Sequence, residues 1–252
     1  PEISNTGAAS KNITVNTSAT LTINKAYDLT VAGNFTNRGT VTLNSESDEF
    51  SSIIIHGTSS GNITYNRYVN SLTNGSGWDL IGSPVNGLQI SSFASTNDSP
   101  LATGNGSGAG DLGEYAIGIF DSSLNSWVNY TTDNVDTTQF TPGKGYQMAT
   151  DSGATLAFTG SVDTDASETI AIQNYTGASG SRWNLISNPY PSFLIIGPNT
   201  TTDTFLEVND DVIDATYVGV YGYDGNSADG SNYTIYNNTS TAKIAPGQGF
   251  FI

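Results

Sequence analysis

Two stretches of the chain carry the same three anchors in the same order, and this repeat limits the possible folds more than any other feature. Trp78-Asp-Leu-Ile-Gly-Ser-Pro84 returns as Trp183-Asn-Leu-Ile-Ser-Asn-Pro189. Tyr115-Ala-Ile-Gly-Ile-Phe-Asp121 returns as Tyr217-Val-Gly-Val-Tyr-Gly-Tyr-Asp224, and Phe140-Thr-Pro-Gly-Lys-Gly-Tyr146 as Ile244-Ala-Pro-Gly-Gln-Gly-Phe250. The Trp-to-Pro offset is 6 in both copies, and the distance from Trp to the Pro-Gly pair is 64 in one and 63 in the other. Chance does not preserve such spacing, so one structural unit is expected twice.

Each anchor has a mechanical reading. In Trp-x-Leu both bulky residues fall on one face of a strand, which Pro84 or Pro189 ends because proline cannot donate to a sheet ladder. Both Trp78 and Trp183 are therefore expected as core anchors. Pro142-Gly143 and Pro246-Gly247 suit a type II turn, proline presetting the first central residue and glycine supplying the positive φ of the second. After that turn copy one continues into Gly145-Tyr-Gln-Met148 and then Thr155-Leu-Ala-Phe-Thr-Gly160, read as the strand that closes the unit. Copy two reaches Ile252, the equivalent of Met148, so the edge there is expected to be covered by further residues or a partner chain.

Before the repeat lies a different pattern. Ile13-Thr-Val-Asn16, Leu21-Thr-Ile-Asn24, Leu29-Thr-Val31, Val41-Thr-Leu-Asn44, Ile53-Ile-Ile55 and Ile63-Thr-Tyr-Asn66 are short runs of period two, hence strands. Their apolar residues should point inward, with Asn at corners where left-handed dihedrals are tolerated. Runs start 8, 8, 12, 12 and 10 residues apart without paired Asn-Gly turns, which favours coils of a parallel β-solenoid over a meander. The expected fold class is therefore all-β. A β-solenoid-like segment at 1–69 precedes two repeated antiparallel β-sandwich-like units at 70–175 and 176–252, the second incomplete.

Together, the Asn/Thr-rich start, the exit Asn62-Ile-Thr-Tyr-Asn-Arg-Tyr68, Trp-x-Leu-Ile-x-x-Pro and Pro-Gly-x-Gly-Tyr/Phe resemble large secreted surface proteins of Bacteroidota, especially Flavobacteriia. Such proteins are typically exported by the type IX secretion system. The resemblance implies outer-membrane transit, an extracellular or cell-surface location, and frequently adhesion or polysaccharide handling. The C-terminal sorting domain of such proteins is not visible in these residues.

Charge narrows the partners. Lys and Arg total 7 against 23 Asp and Glu, a formal charge of -16, so the average surface repels phosphate backbones and anionic lipid. Neither nucleic-acid binding nor membrane insertion is expected. The chain has no Cys and a single His, His56, which excludes thiolate metal sites and the usual zinc constellations. Paired carboxylates converging on one face, as a glycoside hydrolase needs, are not evident in the first segment. No Ser-centred elbow or phosphate loop occurs. The function expected is that of a non-catalytic structural or adhesion module, with surface glycans or other surface proteins as partners. A carbohydrate-binding module and an ancillary domain of a polysaccharide-degrading enzyme are the alternatives.

Sugar binding calls for exposed aromatic faces that stack on pyranose C–H surfaces. Trp127 with Tyr130, and their counterparts Tyr233 with Tyr236, are the candidates. Spaced three apart, the members of each pair point to opposite faces of a strand, so one of each is expected in the core. The candidate calcium site is Asp224-Gly-Asn-Ser-Ala-Asp-Gly-Ser-Asn232, with Asp224, Asn226 and Asp229 as ligands, although the distal Glu of an EF-hand loop is missing. Asn209-Asp-Asp211 with Asp214, and Asp163-Thr-Asp165 with Glu168, are lesser oxygen clusters. Thr137, after Asp136, resembles a Bacteroidota O-glycosylation acceptor.

Overall fold

The computed structural model describes residues 1–72, 77–97, 114–131, 138–165, 167–177, 180–198, 203–225 and 233–252. These are mostly β, with two short helices, Ile90–Thr96 and Phe205–Val208. No described helix is long and apolar enough to cross a membrane.

The first segment forms three parallel arrays. Glu2–Ile3, Thr20–Ile23, Thr40–Asn44 and Asn62–Val69 lie side by side in one sheet, Ala8–Ser10, Asp28–Val31 and Ser52–Ile55 in a second, and Ile13–Val15, Phe35–Asn37 and Ser59–Ser60 in a third. In-register partners such as Leu21↔Val41, Leu43↔Tyr65 and Leu29↔Ile53 are 20, 22 and 24 residues apart, so the chain visits all three sheets before returning to the first. Alternation places Leu21, Ile23, Leu29, Val31, Val41, Leu43, Ile53, Ile63 and Tyr65 inside, all buried. Each such aliphatic side chain contributes about 1.5–3 kcal/mol on burial, which is what makes strands of three to five residues viable. Phe35, fully buried on a strand absent from the period-two runs, completes this interior.

The corner asparagines have a different role from the expected one. The non-glycine residues at positive φ are Ser18, Ala26 and Asn125 among those described, so Asn16, Asn24 and Asn44 are not left-handed. The amides instead bond from one layer to the next. Asn12 Oδ1 accepts from the Asn34 N–H at 2.8 Å, Asn34 Oδ1 accepts from the Thr58 N–H at 3.1 Å, and Asn66 Nδ2 donates to Asn44 Oδ1 at 2.9 Å. Parallel pairing brings the backbone N–H groups of Asn34 and Thr58 within reach of the amides of Asn12 and Asn34, and those side chains satisfy them.

Each copy of the repeat supplies one four-stranded antiparallel sheet with the same strand order. In copy one the order is Asp79–Ile81, Tyr146–Met148, Glu114–Asp121, Ser126–Thr131; in copy two it is Leu185–Ser187, Gly249–Phe251, Val220–Tyr223, Tyr233–Tyr236. The Pro-Gly pairs turn as their chemistry dictates, with Gly143 at φ 73° and Gly247 at φ 65°. The N–H of Lys144 donates to Thr141 O at 3.1 Å and that of Gln248 to Ala245 O at 3.0 Å.

The two copies clasp each other reciprocally. The Gly82 N–H donates to Gly247 O at 2.8 Å, and its counterpart Ser187 N–H donates to Gly143 O at 2.7 Å. Bridges Ile81↔Gln248 and Lys144↔Ile186 are likewise related by exchanging the copies. The Trp-x-Leu strand of each copy thus meets the Pro-Gly-x-Gly turn of the other. Leu80 of one sheet and Leu185 and Phe251 of the other form one buried cluster, with Phe120, Tyr221 and Tyr223 packed against it.

Ala154–Ser161, read from sequence as closing its own unit, pairs elsewhere. It runs antiparallel to Asn62–Val69 from Asn62↔Ser161 to Val69↔Ala154, at the end of the first parallel sheet. Leu156 and Phe158 enter the interior there, and one continuous core runs from Val15 through Tyr65 to Phe93, Tyr146 and Val162. A parallel array has an unpaired strand at each end, and an antiparallel partner is the device that closes this one.

Candidate functional site

The four candidate aromatics divide as their three-residue spacing requires. Trp127 is 40% exposed and Tyr233 50% exposed. Tyr130 packs against the large core, where burial pushes its phenol up to about 12, and Tyr236 packs against a second core around Phe250. Trp127 and Tyr233, equivalent positions in the two copies, both meet one ring. Phe251 lies 6.1 Å from each, in edge-on contact with both. Phe120 and Tyr223 extend the strip at 5.4 Å from Trp127 and 5.2 Å from Tyr233. Register places Ile235 on the same face as Tyr233, and it too is exposed.

Trp78 and Trp183 do not share one environment. Trp78, partly buried, packs against buried Ala116 and Ala149, and the Gly77 N–H donates to Gly225 O. Trp183 is 36% exposed, contrary to the core role expected of it. Its indole meets Tyr221 at 4.6 Å and Tyr217 at 6.0 Å, both edge-on, and Tyr217 is itself exposed. Trp183 and Tyr217 border a groove of about 860 Å³ that also takes in Asn125, Asn174, Arg182 and Asp214.

The groove is held by hydrogen bonds from three directions. Asn184, buried beneath it, donates to Gln173 O at 2.9 Å and Arg182 O at 2.8 Å, and its Oδ1 accepts from the Gln173 N–H at 2.7 Å. From copy one, Ser122 Oγ donates to Trp183 O at 2.7 Å, and Ser122 O accepts from the Ser181 N–H at 2.7 Å. At the rim Arg182 Nη1 donates to Asp214 Oδ2 at 2.8 Å. The Thr216 N–H and then the neighbouring Arg182 hold the Asp214 carboxyl below its ordinary range. Sequence reasoning missed this site. The available signal was Arg182, a cation where copy one has Gly77, in a chain with only 7 basic residues.

A smaller cavity of about 270 Å³ lies where the parallel arrays meet both copies. Arg67 is buried there, its guanidinium 4.5 Å from the Phe50 ring centre, Nη1 donating to Tyr68 O, and Nε without a hydrogen-bond partner among the described residues. Asp79 accepts from both the backbone N–H and the Nδ2 of Asn70 at 2.7 Å. Burial nevertheless holds its carboxyl above the usual range, with Asp224 adding to the effect and Asn70 and Arg67 opposing it.

Of the proposed calcium ligands, Asp224 lines this cavity, whereas Asn226 and Asp229 lie outside the described residues, as does Thr137. Among the described residues no group of three or more His, Cys, Asp or Glu is placed to hold a metal ion. Asp121, the counterpart of Asp224, accepts from the N–H and Oγ of Ser123 within its own turn. His56 is exposed just past Ser52–Ile55.

A family profile described as Domain of unknown function (DUF8693) matches residues 1–252. No curated protein and no solved structure matches the chain.

Proposed function

The chain belongs to that family of unknown function along its whole length, and from that premise we propose that it is a non-catalytic structural and adhesive module of a secreted or cell-surface protein. In this reading the three parallel arrays are a β-solenoid, and the two clasped sheets are a sandwich built from two repeats. The resemblance to secreted Bacteroidota proteins supports an extracellular or outer-membrane surface location and export by the type IX route.

The observation that carries adhesion is the pairing of Trp127 with Tyr233 around Phe251. A rigid scaffold holds two half-exposed rings from different copies on one apolar strip, with Ile235 alongside. Trp and Tyr at the centre of such a patch are the residues that carry protein interfaces. Another surface protein is therefore the partner favoured. A surface glycan is the second reading, supported by Asn129, which register places on the Trp127 face and which accepts from Gln147 at 2.8 Å.

The test is attachment of the labelled chain to intact bacterial cells, to protease-treated cells and to a glycan array. Attachment lost on protease treatment and on the Trp127→Ala/Tyr233→Ala double variant is the expected result. Undiminished attachment by a double variant with unchanged circular dichroism would remove the strip from the function. Glycan-array binding abolished by the same variant would select the second reading.

A further inference from the structure

We infer that the groove around Trp183 is a binding site for a neutral glycan chain. It shares no lining residue with the Trp127–Phe251–Tyr233 strip and goes beyond the adhesive reading.

The first argument is the inequality of two equivalent tryptophans. An indole that serves only as a sheet anchor should be covered in both copies, since burying such a ring is strongly favourable. Trp78 is partly buried against Ala116 and Ala149, whereas Trp183 is 36% exposed and lines the groove, with Tyr217, 54% exposed, next to it. Two large rings left open on one concavity are what the C–H faces of pyranose rings stack against.

The second argument is the polar complement. Stacking alone does not orient a sugar; its hydroxyls need groups that both donate and accept. The Arg182–Asp214 pair at the rim presents guanidinium N–H groups and carboxylate oxygens together, and the amides of Asn125 and Asn174 stand on the wall. These groups match vicinal hydroxyls, each of which donates and accepts.

The third argument is preorganisation. The side chain of buried Asn184 bonds to Gln173 and Arg182, and Ser122 ties the copy-one hairpin to Trp183, so both walls are set before a ligand arrives. A preset wall lowers the ordering cost of binding. The volume, about 860 Å³, falls within the range of small-ligand clefts. The formal charge of -16 disfavours polyanionic glycans and so selects neutral ones.

The experiment is a titration of the 252-residue chain, followed through the indole N–H signal of Trp183, assigned by its absence in Trp183→Phe. The probes are neutral gluco-, manno-, xylo- and galacto-oligosaccharides, with heparin as the anionic comparison. At least one neutral oligosaccharide should shift the signal saturably. Tyr217→Ala, a change at an exposed residue that leaves the melting temperature in place, should weaken that binding about tenfold, as loss of one stacking ring implies. Trp127→Ala should leave it unchanged. The inference is overturned if no neutral oligosaccharide shifts the signal, if heparin alone does, if binding survives Tyr217→Ala, or if Trp127→Ala abolishes it.

Discussion

Gly249 lies so close to Leu80 that a β-carbon on it would stand 2.7 Å from the Leu80 carbonyl carbon. Gly145 has the same relation to Leu185, the equivalent pair with the copies exchanged, where a β-carbon would fall 2.6 Å from Leu185 Cγ. The second glycine of Pro-Gly-x-Gly is thus explained by the opposite copy. Neither glycine has the positive φ of Gly143 and Gly247, so its role is close approach and not turn geometry.

Gly249→Ala should accordingly destabilise the fold by about 1–3 kcal/mol, the cost of forcing atoms into a packed contact. The sign is diagnostic, because at a strain-free position the same change stabilises by about 0.4–1 kcal/mol through the unfolded chain. Chemical denaturation of the variant against the parent measures it. A neutral or stabilising result would mean that the copies are not clasped at this point.

Leu156→Ala removes a fully buried side chain from the strand that closes the first parallel sheet. A loss of about 2–5 kcal/mol is expected. Because that strand pairs with Asn62–Val69 along its whole length, amide exchange across Asn62–Val69 should accelerate more than exchange in Val220–Tyr223. Equal acceleration in both would show that the closing strand has no local role.

Asn34→Ala should cost about 0.5–1.5 kcal/mol, the net worth of one hydrogen bond, by leaving the Thr58 N–H without its acceptor. Asn34→Asp keeps an acceptor oxygen and should retain most of the stability. Urea midpoints for the two variants test the corner ladder; equal losses would show that the acceptor is not what the position needs.

Asp79 makes stability depend on pH in a stated direction. Its folded carboxyl is held above the ordinary value by burial, so the folded state binds protons more tightly than the unfolded one. The contribution is full below the unfolded value of about 3.9 and is lost as pH rises through the folded value. Asp79→Asn should remove this decline, so its stability relative to the parent should improve as pH rises across that window. A parent-variant difference that is flat with pH would contradict the assignment.

Much of this was legible in the residues alone. Period two marked Leu21, Ile23, Val41, Leu43 and Tyr65 as interior because alternation is a property of the strand itself. The matched offsets of the repeat anticipated two equivalent units, and in the structure each has the same strand order. Residues three apart had to split between faces, and Trp127 with Tyr130 and Tyr233 with Tyr236 do so. The helices Ile90–Thr96 and Phe205–Val208 were not foreseen, each being too short to show a helical period.

The sequence by itself determined which short segments are strands, which of their side chains are apolar-facing, where Pro-Gly must turn, and that one unit occurs twice. The tertiary structure alone decided that Ala154–Ser161 closes the parallel sheet, that the copies clasp through Gly145 and Gly249, and that Trp183 lines an open groove while Trp78 is partly buried against Ala116 and Ala149. The reason is physical. Side-chain alternation is local, whereas backbone ladder bonds are nearly blind to residue type, so a strand's pattern does not name its partner. Which neighbours an indole meets depends in turn on residues such as Ala116 and Ala149, brought to Trp78 only once the whole chain has folded.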